Sequence, residues 1–167
     1  MPETKRIADQ LKRAYEGQAW HGPSLLEALS DVTAAQARAQ PVPNAHSIWQ
    51  LVLHIAAWMN AVRERIENGP VAAPDDGDWP EIVDTSESGW QATLAVLAQR
   101  QQALLNVLET LTDEQLKRRL GKENDPLTAS GYSAYYNLHG VIQHNLYHTG
   151  QIVLLKKLLQ ENQWQRN

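Results

Sequence analysis

The sequence predicts an all-α protein, most simply a four-helix bundle. Apolar residues recur at steps of three and four along four long segments, which is the spacing of one face of a helix. No segment of the sequence alternates apolar and polar residues as a half-buried strand would. With 167 residues and no internal repeat, the chain is expected to form a single domain over residues 1–167.

Composition argues against several classes of function. The 15 Lys and Arg face 19 Asp and Glu, a formal net charge of −4, so nucleic acid is not an expected partner. Cysteine is absent, which excludes disulfides, thiolate metal sites and a cysteine nucleophile, and any thiol chemistry needs a thiol from outside. The start of the chain lacks an apolar signal region and no apolar run reaches membrane length, so we expect a cytoplasmic protein with no membrane partner.

The first helical segment is expected over residues 3–30. Its inward seam consists of Ile7, Leu11, Ala14, Gln18, His21, Leu25 and Ala28. Two glycines and Pro23 interrupt it, because proline lacks an amide hydrogen and crowds the preceding turn. We expect either a kink near residues 20–22 or two helices with Pro23 in the first turn of the second. Either arrangement leaves His21 close to the inward seam.

A capping box of Ser47 and Gln50 predicts the start of the second helix, which extends to about Asn68. His54 shares its apolar face with Leu51, Ile55, Trp58, Ala61 and Val62. Taken alone, such a histidine is most simply a core residue with hydrogen-bond partners. Residues 69–85 hold three prolines and four aspartates, which predicts a long polar connection to the third helix.

The third helix is expected from about Ser88 to Leu111 and has the pattern of a packing helix. Its seam contains Trp90, Leu94, Leu97, Gln101, Leu104, Leu108 and Leu111. Gln101 is the one polar member, placed either near the bundle surface or beside the histidines. Thr112 with Gln115 then predicts a short extra helix, closed by Gly121, before the last long helix.

The fourth helix is expected from Ser133 to Leu159, a span without proline in which Ser133 can act as the N-cap. One face carries Asn137, Val141, His144, His148, Gln151, Leu155 and Leu158. Because His144 and His148 are four residues apart, both rings can reach one point beside the helix. A bound cation together with one hydrogen bond per ring would satisfy both imidazoles. The alternative is a pair of core histidines bonded to other side chains.

The candidate metal ligands are three neutral imidazoles, His54, His144 and His148. A zincin peptidase needs Glu directly after the first histidine of its His-x-x-x-His, where this chain has Asn145. Ferritin-like di-iron sites and the facial triad need inward carboxylates, and none lies in the predicted seams. Three protein ligands leave coordination positions of the ion open, as catalytic sites do. Because the ligands are neutral, the ion also keeps its full dipositive charge. The pattern does not distinguish zinc, nickel, iron and manganese.

Two segments carry a resemblance to a known family. HSIWQLVLHIAAW (residues 46–58) followed by LHGVIQHNLYHTGQIVLLKK (residues 138–157) resembles the DinB-like family, which includes the YfiT-like metalloenzymes. His54 matches the family's histidine on its second helix. His144, His148, Gly150 and Gln151 match its His-x-x-x-His-x-Gly-Gln, and the likeness extends over nearly the whole chain.

The resemblance implies a four-helix bundle in up-down-down-up order, a divalent metal on the three histidines, and frequent homodimers. It also implies relatedness to bacterial transferases in which the metal activates a low-molecular-weight thiol such as bacillithiol or mycothiol. A homodimer is favoured by the sequence as well, because Ile142, Leu146 and Val153 lie opposite the histidine face and need cover from a second copy or from neighbouring helices.

The leading hypothesis is therefore a metal-dependent transferase or hydrolase acting on a small-molecule substrate with a thiol or water as nucleophile. His21 is its candidate catalytic base or substrate contact, with a core histidine at the kink as the alternative. Trp58 and Tyr147 are candidates for the substrate pocket or for packing. Gln151 is a candidate for contacting substrate or orienting a ligand, with closing the helix packing as the alternative. The competing hypotheses are a non-catalytic metal-binding or stress-related bundle and a haem or small-ligand binder.

Overall fold

The computed structural model describes residues 1–69, 73–120 and 132–164, with side chains described as far as residue 161. This part of the chain forms helices and no strand, which confirms the all-α class. The helices are α1 (Glu3–Glu16), α2 (Leu25–Leu29), α3 (Ala34–Arg38), α4 (Ile48–Asn68), α5 (Glu87–Thr110) and α6 (Ala134–Trp164), with a 3-10 turn at Gln115–Lys117 between α5 and α6.

The first segment forms two helices rather than one kinked helix. α1 is followed by Gly17 at φ 139° and Gln18 at φ 60°, two left-handed conformations that end the helical path. A capping box of Ser24 and Glu27 then starts α2. Pro23 therefore lies just before the N-cap and not, as expected, inside the first turn.

α3 was not predicted, although the signal for it is in the sequence. Thr33 accepts the N–H of Gln36 while the Gln36 side chain accepts the N–H of Thr33, the same reciprocal pattern that starts α2 and α4. The Glu87 carboxylate also accepts the amide of Ala34 at 2.9 Å, which fastens the beginning of α3 to that of α5. Five residues give too little apolar periodicity to be recognised as a helix on their own.

Two buried indoles join α4 to α5. α4 begins at the predicted capping box and ends at the predicted residue. Its Trp49 donates to Thr93 Oγ1 at 2.9 Å and packs 5.1 Å from the ring of Trp90, whose own indole donates to the carbonyl of Val32 at 2.7 Å. Both rings are almost completely buried. Because each buried N–H has an acceptor, the two rings contribute apolar area without an unpaired polar group.

α5 spans Glu87–Thr110, within one residue of the prediction at each end. Gln101 is buried and its amide donates to the carbonyl of Leu11 at 3.4 Å, so it lies neither at the bundle surface nor against the histidines. Thr112 and Gln115 form the predicted capping contacts around the 3-10 turn. The predicted closing glycine, Gly121, lies outside the described residues.

The four long helices pack in pairs, α4 against α5 and α6, and α1 against α5 and α6. α6 starts after Ser133, which accepts the N–H of Tyr136 at 3.1 Å, and continues past the predicted end to Trp164. On the face of α6 opposite the histidines, Ile142 is 7% exposed, and Leu146 and Val153 pack against the core. Neighbouring helices of the same chain therefore cover these three residues, so their apolar character does not require a second copy.

Among the described helices, none combines the length and the apolar character that crossing a bilayer requires.

Candidate metal centre

Three histidines from two helices converge at one point. His54 on α4 is 5% exposed, and His148 on α6 is 7% exposed. With His144, also on α6, they form a group that could hold a metal ion, because one ring nitrogen from each lies within 4.8 Å of the others. The rings of His144 and His148, four residues apart, have centroids 4.5 Å apart. The structure thus brings together the three residues that the sequence selects.

Hydrogen bonds fix which nitrogen of His54 faces the centre. Its Nδ1 lies 2.5 Å from the backbone carbonyl of Asp78, which can only accept, so Nδ1 carries the proton. The lone pair of the neutral ring is then on Nε2, 2.9 Å from Nε2 of His144. Without an ion, Nε2–H of His144 can donate a hydrogen bond to the Nε2 lone pair of His54.

Gln151 holds His148 in the same manner. Its Oε1 lies 2.7 Å from Nδ1 of His148, one turn back on α6. Donation from Nδ1 leaves the Nε2 lone pair of His148 free for a cation. Gln151, expected to contact substrate, to orient a ligand or to close the helix packing, has the orienting contact in this structure.

Burial favours the neutral forms of His144 and His148. The pKa of His144 is lowered to about 4, first because burial disfavours the charged form and then because His148 and His54 lie close by. Burial also lowers the pKa of His148, although its bond to Gln151 acts in the opposite direction. Near neutral pH these two rings are therefore uncharged, and an uncharged imidazole is the form that binds metals.

The donor set fits a divalent ion. Hydrogen-bond acceptors hold Nδ1 of His54 and Nδ1 of His148, which leaves Nε2 of both rings for a cation. Nε2 of His144 lies 2.9 Å from Nε2 of His54 and can supply the third ligand atom. The metal-binding group contains histidines alone. Imidazole ligands suit zinc, nickel, iron and copper better than calcium or magnesium.

An open cavity of about 490 Å³ borders the three histidines. All three predicted pocket residues line it: Trp58, Tyr147 and Gln151. Trp58 is half-buried and donates to Oδ1 of Asp78 at 2.7 Å, while Tyr147 is 66% exposed with its ring 5.0 Å from that of His148. Whether they contact a substrate stays a prediction.

His21 does not line this cavity. It is exposed and lines two neighbouring cavities, one of which shares Tyr147 with the metal centre. The expected inward position is wrong because the seam that predicts it assumes a continuous helix, whereas the chain leaves the helical path at Gly17 and Gln18. A catalytic role for His21 stays a prediction.

Three residues of the site were missed by sequence reasoning: His46, Asp78 and Trp79. Trp79 stacks on His54 with ring centroids 3.9 Å apart and on His46 with centroids 3.5 Å apart. Asp78 and Trp79 belong to the polar connection between α4 and α5, which has no periodicity to analyse. The available signal was Trp79 itself, the one tryptophan of that connection, because a large indole in a polar loop needs a surface to cover it.

Comparison with known proteins places this arrangement in a family. The family model described as the DinB superfamily matches residues 19–152. A solved structure described as a conserved protein from Enterococcus faecalis aligns with a TM-score of 0.69 over 95% of this chain and 97% of that chain, at 19% sequence identity. That similarity supports the fold alone. No curated protein matches. Since the family model covers most of the chain, including the three histidines, the chain belongs to the DinB superfamily.

Proposed function

We propose that this protein is a divalent-metal-dependent enzyme that transfers a low-molecular-weight thiol to a small-molecule electrophile, or hydrolyses such a molecule with water. The observation that carries the proposal is the convergence of three imidazoles on an open cavity. Three protein ligands leave coordination positions free, which is typical of catalytic and not of structural metal sites. A divalent ion on neutral ligands supplies Lewis acidity, lowering the pKa of a thiol or water.

The chain's own residues prepare the ligand set. The backbone carbonyl of Asp78 accepts a hydrogen bond from Nδ1–H of His54, and Oε1 of Gln151 accepts one from Nδ1–H of His148, which directs the two Nε2 lone pairs inward. Cysteine is absent from the sequence, so the nucleophile is water or an exogenous thiol. A thiol enters by the open side of the cavity.

The cavity wall suggests the kind of electrophile. Trp58, Trp79 and Tyr147 supply aromatic surface, and Asp78 is the one acidic residue among the described lining residues. No lysine or arginine lines the cavity in the part of the chain that the structure describes. This wall suits an apolar or planar electrophile better than a phosphorylated one, since phosphate groups are commonly bound by cationic side chains.

The same proposal includes the up-down-down-up order of the four long helices, a homodimer and a cytoplasmic location. Support for a second copy comes from Tyr147 and Leu154 on α6, which are 66% and 60% exposed. Exposed apolar side chains of this size on one helix are a common feature of protein interfaces.

The test begins with elemental analysis of protein purified without a histidine tag, beside a His148→Ala variant. The metal-loaded protein is then mixed with low-molecular-weight thiols and an alkylating electrophile, and loss of free thiol is followed. We expect one bound ion per wild-type chain and thiol consumption above the rate of the metal-free protein. Metal-free protein that reacts at the wild-type rate would contradict the proposal. Tight metal binding with no reaction in a broad screen would favour a non-catalytic metal-binding bundle.

A further inference from the structure

The three candidate ligands are held in different ways. His148 is oriented by Gln151 of its own helix, and Asn145, also on α6, is the hydrogen-bonding neighbour of His144. His54 alone is held by a segment that lies far from it along the chain, the connection between α4 and α5. Its contacts there are a hydrogen bond to residue 78 and a face-to-face stack on residue 79.

The stack fixes the plane of the His54 ring. The indole of Trp79 lies 3.9 Å from the imidazole with an interplanar angle of 8°, and its other face lies 3.5 Å from the ring of His46 at 6°. His46 is in the loop just before α4. Trp79 is therefore enclosed between two imidazoles, and its edge approaches a second candidate ligand, His148, at 6.2 Å and 87°.

The hydrogen bonds next to the stack fix the rotation of the His54 ring. The Asp78 carbonyl accepts Nδ1–H, while the Asp78 side chain accepts the indole N–H of Trp58, one turn along α4 from His54. The connection is thus attached to α4 at the ligand itself and one turn further along the helix. Stacking alone would allow the ring to turn within its plane, and the hydrogen bond alone would allow it to tilt.

We infer that Trp79, backed by His46, is the positioning residue of the metal centre, which keeps His54 in the orientation that lets its Nε2 meet the other two ligands. Trp79 acts through His54 and is not itself a ligand. The inference rests on the proposed metal site. Groups that orient a metal-binding histidine are typically worth about 10- to 100-fold in metal affinity.

The inference is tested by titrating metal-free protein with Co(II) in competition with a chromophoric chelator and recording the Co(II) absorption bands. We expect Trp79→Ala to weaken Co(II) binding by about 10-fold or more and to alter the bands. Trp79→Phe restores most of the affinity, because a phenyl ring also stacks. Trp20→Ala is the matched control, since Trp20 is fully exposed and does not line the cavity of the metal centre.

Two further variants keep the result interpretable if Trp79→Ala folds poorly. His46→Ala removes the outer ring of the stack at an exposed position and should weaken Co(II) binding less than Trp79→Ala does. Asp78→Ala retains the backbone carbonyl that accepts from His54 but removes the carboxylate that accepts from Trp58, so it too should weaken Co(II) binding less than Trp79→Ala does. Wild-type affinity and wild-type bands in both Trp79→Ala and His46→Ala would overturn the inference while leaving the metal site intact. If the wild-type protein binds no Co(II), the proposed function fails and the inference fails with it.

Discussion

The Nε2 atoms of His54 and His144 lie 2.9 Å apart although the two residues are separated by 90 positions in the chain. A contact of this length between neutral rings holds one proton and one lone pair, whereas a bound cation uses both lone pairs. The two rings can meet only because α4 and α6 pack side by side. The site therefore depends on helix packing. Replacing its histidines should change both the metal content and the stability of the protein.

The first prediction concerns the ligand set. Replacing His54, His144 and His148 together by alanine should remove the bound divalent ion, because no carboxylate belongs to the described metal-binding group. In the wild type, metal at a thousandfold excess over Kd should stabilise the fold by about 4 kcal/mol, so a chelator should lower Tm. Metal content is measured by elemental analysis and Tm by circular dichroism. Equal metal content in wild type and variant would refute the assignment.

The second prediction is a pH dependence of the metal-free protein. The pKa of His144 is about 4 in the folded chain and about 6.5 when unperturbed, so the unfolded chain binds more protons between these values. Protonation of His144 therefore leaves the free energy of unfolding unchanged above about pH 6.5 and lowers it as the pH falls towards 4. Urea titrations in a chelator should show a steeper loss for wild type than for His144→Ala. Parallel profiles would contradict the lowered pKa.

The third prediction compares two glycines in helices. A Cβ at Gly89, in the first turn of α5, would collide with the backbone carbonyl of Asp84, which a side-chain rotation cannot relieve. Gly140, within α6, has nothing within 4 Å of such a Cβ. Gly89→Ala should therefore destabilise the protein, and Gly140→Ala should stabilise it by up to about 1 kcal/mol through helix propensity. Urea unfolding of both variants checks the sign. A stabilised Gly89→Ala would show that backbone movement relieves the collision, and a destabilised Gly140→Ala would contradict the second half of the prediction.

The fourth prediction separates His21 from the ligands. Because His21 is exposed and outside the cavity lining, His21→Ala should bind metal as tightly as the wild type. If it acts as base or substrate contact from the adjoining cavity, the same variant should lower the rate of any reaction found. Isothermal titration with metal and a rate assay test the two parts. Loss of metal from this variant would contradict the prediction, because it would mean that His21 contacts the metal centre in solution.

The fifth prediction is a homodimer. We expect light scattering to give twice the chain mass of 18.8 kDa at micromolar concentrations. Leu154→Lys should shift the mass towards that of a single chain if the exposed face of α6 forms the interface, whereas Val83→Lys, at an equally apolar residue that is 95% exposed outside the helices, serves as control. A monomeric wild type would contradict the prediction.

Local sequence signals determined most helix starts and the histidine pair. Ser47 with Gln50 marks the start of α4 because a capping box satisfies amides within three residues. His144 and His148 share a face because any helix places residues four apart side by side. These interactions act within about one turn, so a single sequence suffices to recognise them.

Long-range packing decided the rest of the site. A helical seam predicted His21 to point inward, but two residues with positive φ redirect the chain before it. The connection that supplies Asp78 and Trp79 has no repeating pattern from which its path could be derived. Its course is set by contacts with residues 20 or more positions away, among them the bonds of Asp78 to Trp58 and His54. Such contacts form only when the helices are assembled, and for that reason the ligands were readable in the sequence while the residues that orient His54 were visible only in the tertiary structure.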